Sequence, residues 1–254
     1  MLTKSIPSLF TVGNLFLGVL SIILAFSGQH GVAAVLVIVA MLLDGLDGRV
    51  ARALNAQSEF GKELDSLSDV ISFGVAPAFI MYVVAFNDPT AISPAFAWIV
   101  TAIFPICGAL RLARFNVVAG TPGYFIGLPI PAAGGVLCTL ALFANDLNVY
   151  VLLVSTVLLS YLMVSTVKYP NFKKAGIPKA AIWITPIIVA VAIVIAIKWP
   201  ESISKMIFVP LLLYALYGLK KNVDGYFIRI RNSHRKNKRR GSNVEENNSV
   251  KSDL

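Results

Sequence analysis

The chain has 254 residues, of which 57% are hydrophobic and 14% charged, and a formal net charge of +9. A soluble domain would be roughly half apolar and about a quarter charged, so this composition excludes an ordinary water-soluble globule. The apolar excess is gathered in blocks near the roughly 20 residues that cross a bilayer. The fold class expected is therefore an all-α polytopic membrane protein.

Hydropathy predicts eight transmembrane helices, over residues 8–28, 31–52, 69–86, 94–115, 130–145, 149–168, 180–198 and 203–220. They form one transmembrane catalytic domain, 1–222, followed by a basic, polar and partly disordered tail, 223–254. Lys4 precedes the first apolar run with no small-residue cleavage site, so that run reads as a retained span. Within it Thr11, Asn14 and Gly18 share one face at i, i+3 and i+7. An asparagine at such a position either bonds a neighbouring helix or lines a site. Ser68 and Ser72, at the start of the third span, read as small packing residues or as partners of nearby acids. Cys107 and Cys138 lie far apart in apolar segments, and His30 and His234 lack ligand-spaced neighbours, so none of these suggests a metal site.

With the N-terminus in the cytoplasm, alternation puts 20 of the 22 Lys and Arg residues inside and leaves only Lys198 and Lys205 outside. This is the positive-inside pattern. Both termini then face the cytoplasm of a multi-pass cell-membrane protein. The basic loop "PNFKKAGIPK", residues 170–179, suits anionic headgroups of the surrounding membrane lipids. No nucleic-acid partner is expected.

Between the second and third spans the run "LLDGLDGRVARALNAQSEFGKELDSLSDV" carries Asp44, Asp47, Asp65 and Asp69. At about 100° per residue, Asp44, Asp47, Gly48, Ala51 and Arg52 occupy one helical face. Gly61, Asp65 and Asp69 occupy a face of the next helix at i, i+4 and i+8. The short link between them lets the two faces meet at the cytoplasmic boundary. Carboxylates brought together there repel one another and are costly to desolvate. Hard divalent cations with oxygen ligands, Mg2+, Mn2+ or Ca2+, relieve this. Such ions orient phosphate oxygens. Arg52 adds a fork for phosphate, and the small Gly48, Ala51 and Gly61 leave room for a ligand.

The run Asp44-x2-Asp47-Gly48-x2-Ala51-Arg52-x8-Gly61-x3-Asp65-x3-Asp69 resembles the complete signature of the CDP-alcohol phosphatidyltransferases. "IPSLFTVGN", "ALRLARFN" and "GLPIPAAG" resemble the integral-membrane phosphatidylserine synthase branch, and the similarity covers about residues 5–135. The resemblance implies transfer of a phosphatidyl group from CDP-diacylglycerol to L-serine, giving phosphatidylserine and CMP. It implies that Asp44, Asp47 and Asp65 hold two divalent ions with help from Asp69, which also takes the proton of the acceptor hydroxyl. Gly48, Ala51 and Gly61 would frame the cytidine, Arg52 would meet the donor phosphate, and Thr11 and Asn14 would line the donor site. The resemblance also suggests a homodimer.

The acceptor half is less defined. Arg111 and Arg114 end the fourth span, with Asn116 after them. Basic residues at helix ends snorkel to headgroups. On the aspartate side of the membrane, one of them can instead bind the serine carboxylate while Asn116 meets the ammonium. Competing readings are the same donor chemistry with glycerol 3-phosphate or inositol phosphate, a membrane prenyltransferase, and a divalent-cation transporter. The acids sit at the membrane boundary and not at a broken helix near the midplane, which disfavours the transporter.

Overall fold

The computed structural model describes residues 2–117 and 124–170. The expected spans 180–198 and 203–220 and the tail lie outside the described residues. Helices α1 (Leu2–Phe26) and α2 (His30–Ala53) form a hairpin. Its turn is set by Gly28 at φ 80°. Gly28 N donates to Ala25 O at 3.1 Å and Gln29 N to Leu24 O at 2.9 Å, the pairing of a glycine-terminated helix.

The next rod runs from Glu59 to Phe86. It comprises α3 (Glu59–Asp69), a π-helical segment (Val70–Val75), α4 (Ala76–Met81) and a second π segment (Tyr82–Phe86). The sequence reading started this span at residue 69. The structure starts it at Glu59, because Ser58 caps it: its Oγ accepts from Gly61 N at 3.0 Å. The polar first turns, "EFGKELDSLS", carry no hydropathy signal but are helical. Helix α5 (Pro94–Val117) follows, then a strand β1 (Tyr124–Ile126), α6 (Ile130–Ala141), α7 (Val149–Val164) and β2 (Lys168–Pro170). In the loop before α5, Thr90 Oγ1 and N both donate to Asp88, which holds that carboxyl below its ordinary range.

The protein is a mostly helical membrane protein. Ser8–Phe26, His30–Ala53, Glu59–Phe86 and Pro94–Val117 are long and apolar enough to cross a bilayer. The fifth and sixth expected spans appear as the shorter apolar helices α6 and α7. The all-α expectation also misses a small antiparallel sheet in which Phe125 pairs with Tyr169.

Packing explains both the burial pattern and the π segment. On α1 the buried face is polar or small, Thr11, Asn14, Gly18 and Ser21, while Leu9, Phe16 and Ile23 are exposed. This suits a helix with lipid on one side and protein on the other. Ser68 Oγ donates to Thr11 O at 3.1 Å, and Ser72 Oγ donates to Asn14 O at 2.9 Å. A Cβ on Gly18 would stand 2.7 Å from Ser72 Cα, and one on Gly134 would stand 3.0 Å from Phe73 Cα. Two helices thus press their glycines onto the π segment directly after Asp69. Wider π turns of this kind recur at functional sites.

Candidate active site

Helix α2 ends in the turns that carry Asp44, Asp47, Gly48, Ala51 and Arg52. Helix α3 begins with those that carry Gly61, Asp65 and Asp69. Leu54 to Ser58 reverse the chain between them, with Asn55 at φ 48°. Asparagine tolerates that left-handed conformation better than most residues.

The reversal brings ligand oxygens of Asp44, Asp47 and Asp65 within 4.8 Å of one another. Asp47 is buried, and Asp44 and Asp65 are half-buried. Thr11 Oγ1 donates to Asp47 Oδ2 at 3.1 Å, and the Gly48 amide donates to Asp47 Oδ1. Both oxygens of this carboxylate are therefore oriented by the protein. An all-oxygen, highly anionic donor set of this kind fits a hard divalent cation.

The fourth acid is set apart. Asp69 lies one turn beyond Asp65 and is outside the 4.8 Å group, so the set of four expected from sequence resolves into three plus one. It is buried, and its Oδ1 has no hydrogen-bond partner among the described residues. Its charge environment contains Asp44, Asp65 and Asp47, which repel it, and Arg111, which attracts it.

Beside the three carboxylates opens a cavity of about 630 Å³. Small-molecule sites commonly have volumes of roughly 300–1,000 Å³. Thr11, Asp47, Gly48, Ala51, Arg52, Gly61 and Asp65 line it. The Arg52 guanidinium lies over Gly48, where an added Cβ would meet Nη1 at 3.6 Å. The cavity thus joins an acidic floor to a basic rim. Sequence reasoning missed Ser8, Ala56, Gln57, Ser58, Glu59 and Lys62 in its wall. Ala56 to Glu59 lie between the two halves of the signature, and that position was the available signal.

Asn14 does not line this cavity. It is fully buried, and neither side-chain amide atom has a hydrogen-bond partner among the described residues. Burying an amide unpaired costs about 1–3 kcal/mol, and the structure puts Asn14 in the helix packing and not in the cavity wall expected for it.

The three residues expected at the acceptor half separate. Arg111 is buried, stands over the Phe115 ring at 5.5 Å and faces the field of Asp69. Arg114 has other partners. Its Nη1 donates to Val164 O at 2.9 Å, and its Nη2 donates to Ile126 O at 3.2 Å, Ser165 O at 3.3 Å and Met163 O at 3.4 Å. Asn116 Nδ2 donates to Ser66 Oγ at 2.9 Å. Arg114 thus ties helix ends together, whereas the sequence left open which of the two arginines meets the serine carboxylate.

Residues 4–167 match the family model described as CDP-alcohol phosphatidyltransferase. The chain belongs to this family. Among curated relatives, it is 42% identical over 222 residues to a CDP-diacylglycerol--serine O-phosphatidyltransferase of Helicobacter pylori (strain ATCC 700392 / 26695), covering 84% of this chain and 89% of that protein. It is 42% identical over 170 residues to the protein of the same name from Bacillus subtilis (strain 168), covering 66% and 92%. It is 38% identical over 179 residues to an archaetidylserine synthase of Methanothermobacter thermautotrophicus, covering 68% and 72%. The family is divalent-metal dependent, and the acidic cluster supplies ligands of the right chemistry.

Proposed function

We propose that this chain transfers a phosphatidyl group from CDP-diacylglycerol to the hydroxyl of L-serine, releasing CMP and phosphatidylserine. The observation that carries the donor chemistry is the gathering of Asp44, Asp47 and Asp65 beside a cavity rimmed by Arg52. The acceptor follows from relatives whose names specify serine, although one of them differs in its lipid.

Asp44, Asp47 and Asp65, with Asp69 adjoining, hold two divalent cations, Mg2+ or Mn2+. Bound there, such ions neutralise and orient the diphosphate. Gly48, Ala51 and Gly61 frame the cytidine by leaving space against the backbone. Arg52 meets the donor phosphate as a planar, charge-assisted fork. Thr11, in the cavity wall, holds Asp47 in orientation. The serine carboxylate pairs with Arg111. Asp69, one helical turn from the three clustered acids, accepts the proton as the serine oxygen bonds to the lipid-side phosphorus and the bond to CMP breaks. The roles of positioning and charge neutralisation suit phosphoryl transfer, which asks little covalent chemistry of the protein.

Both termini and the carboxylate end face the cytoplasm, in keeping with the charge asymmetry, and two copies of the chain associate as a homodimer. The deciding experiment offers purified protein CDP-diacylglycerol and Mn2+ with serine, glycerol 3-phosphate and inositol phosphate at equal concentration. Phosphatidylserine is expected almost alone. A product dominated by a phosphorylated acceptor would overturn the serine assignment and leave the donor chemistry standing.

A further inference from the structure

We propose that Asn116 is a positioning residue for the acceptor half, acting through Ser66 without touching the acceptor. This rests on the reading that Arg111 and Asp69 receive serine. Ser66 lies in the turn of α3 between Asp65 and Asp69, and Asn116 lies in the last turn of α5, beyond Arg111. Asn116 Nδ2 donates to Ser66 Oγ at 2.9 Å, while Ser66 Oγ donates to Lys62 O at 3.2 Å. A hydroxyl has one proton to give. With that proton directed at Lys62 O, the oxygen presents lone pairs to Asn116, so the bond has a fixed polarity. It ties the helix bearing the carboxylates to the helix end bearing the guanidinium.

The hydrogen bonds of Arg114 and the ring contact of Phe115 lead elsewhere. Arg114 fastens it to carbonyls at Ile126 and Met163 to Ser165. Phe115 supports Arg111 from below and packs against Phe125 of β1, with ring centroids 6.1 Å apart. These contacts fix the end of α5 against α7 and the small sheet. The Asn116–Ser66 bond fixes it against α3, and thereby sets where the Arg111 guanidinium stands relative to Asp69. A serine bound between those two groups senses a shift of the helix end as a loss of fit, whereas the nucleotide bound between α2 and α3 does not.

The test is a double-mutant cycle on the full-length enzyme in lipid vesicles, with KM measured for each substrate. Ser66→Ala and Asn116→Ala should each raise the serine KM about threefold to tenfold, the usual worth of one hydrogen bond. The CDP-diacylglycerol KM should stay within about twofold. Because the two residues act as one contact, the double variant should exceed the larger single effect by no more than about twofold. Ser66→Thr keeps the hydroxyl and should restore the wild-type serine KM, which a general loss of folding would not permit. A serine KM that rises in Asn116→Ala but not in Ser66→Ala means that Asn116 touches serine itself, and overturns the proposal. Multiplying effects, no effect in either single variant, or failure of the threonine rescue overturn it equally. Arg111→Ala in the same series tests the underlying reading separately. If the serine KM does not respond to it, the acceptor site is misassigned, whereas a failed cycle beside a responsive Arg111 sinks the Asn116 role alone.

Discussion

The proposed donor half and the proposed acceptor half of this site are built in different ways. The donor half is local: its carboxylates, glycines and Arg52 come from two consecutive helices and the link between them. The proposed acceptor half is drawn from distant chain: Arg111 comes from α5, Asp69 from the end of α3, and the end of α5 is held by carbonyls from α7 and β1. A local site can be specified by spacing along one stretch. A distributed site depends on how helices meet. The contrast teaches that substitutions in the two halves should fail in different ways, and it can be broken experimentally.

The largest effect should come from the floor of the donor half. Asp44→Asn, Asp47→Asn or Asp65→Asn should each lower turnover by at least about 10²-fold, since charge stabilisation by bound metal is worth several kcal/mol. Chelation should abolish wild-type activity and re-addition of Mn2+ should restore it. Full activity in chelator would remove the donor half as described.

Asp69→Asn comes next. Loss of a general base commonly costs about 10²-fold to 10⁴-fold, and here the lower end is expected, because the clustered carboxylates stay in place. An amide keeps one ligand oxygen but cannot accept the proton. Binding of CDP-diacylglycerol, measured by isotherm, should therefore persist while turnover falls. Equal loss of both would return Asp69 to the metal-binding group and erase the division into three plus one.

Arg111→Ala should raise the serine KM about tenfold to 100-fold, the worth of a charge-assisted hydrogen bond. The CDP-diacylglycerol KM should change little. Arg114→Ala should instead lower the thermal unfolding midpoint, because it strips donors from carbonyls at Ile126, Met163, Val164 and Ser165. If Arg114→Ala is stable and selectively blind to serine, the two arginines have been assigned the wrong way round.

The same contrast explains what could be read in advance. Asp44 and Asp47 stand at i and i+3 on α2, so helical periodicity alone puts them on one face. The turn that brings Asp65 to them is short enough to be inferred. Periodicity could not separate Asp65 from Asp69, because both lie on one face of α3 and their depth depends on how α3 sits against α2. Arg111 and Arg114 are also at i and i+3. What distinguishes them is contact with residues about 50 positions away, and no local pattern contains that. The π segment after Asp69 was equally hidden, since it is associated with close packing against Gly18 and Gly134 from other helices. Three-residue strands such as β1 and β2 are too short to leave an alternating pattern.

The smallest predicted effect tests whether α1 belongs to the donor half. Thr11 sits on the buried face of α1 and lines the cavity. Its hydroxyl donates to one oxygen of Asp47 at 3.1 Å while the Gly48 amide holds the other. Valine has nearly the same shape but no proton to give. Thr11→Val should free the Asp47 carboxylate to rotate without emptying the space around it. Loss of such an orienting partner typically weakens metal binding by about tenfold to 100-fold. The low end is expected here, because the Gly48 amide remains. The concentration of Mn2+ giving half-maximal activity should therefore rise about tenfold, with the serine KM unchanged. Thr11→Ser keeps the donor and should behave as wild type. If serine at position 11 is as damaging as valine, the methyl group matters and the hydrogen bond does not. If the serine requirement rises together with the metal requirement, α1 serves both halves, and the boundary drawn between a local donor site and a distributed acceptor site falls in the wrong place.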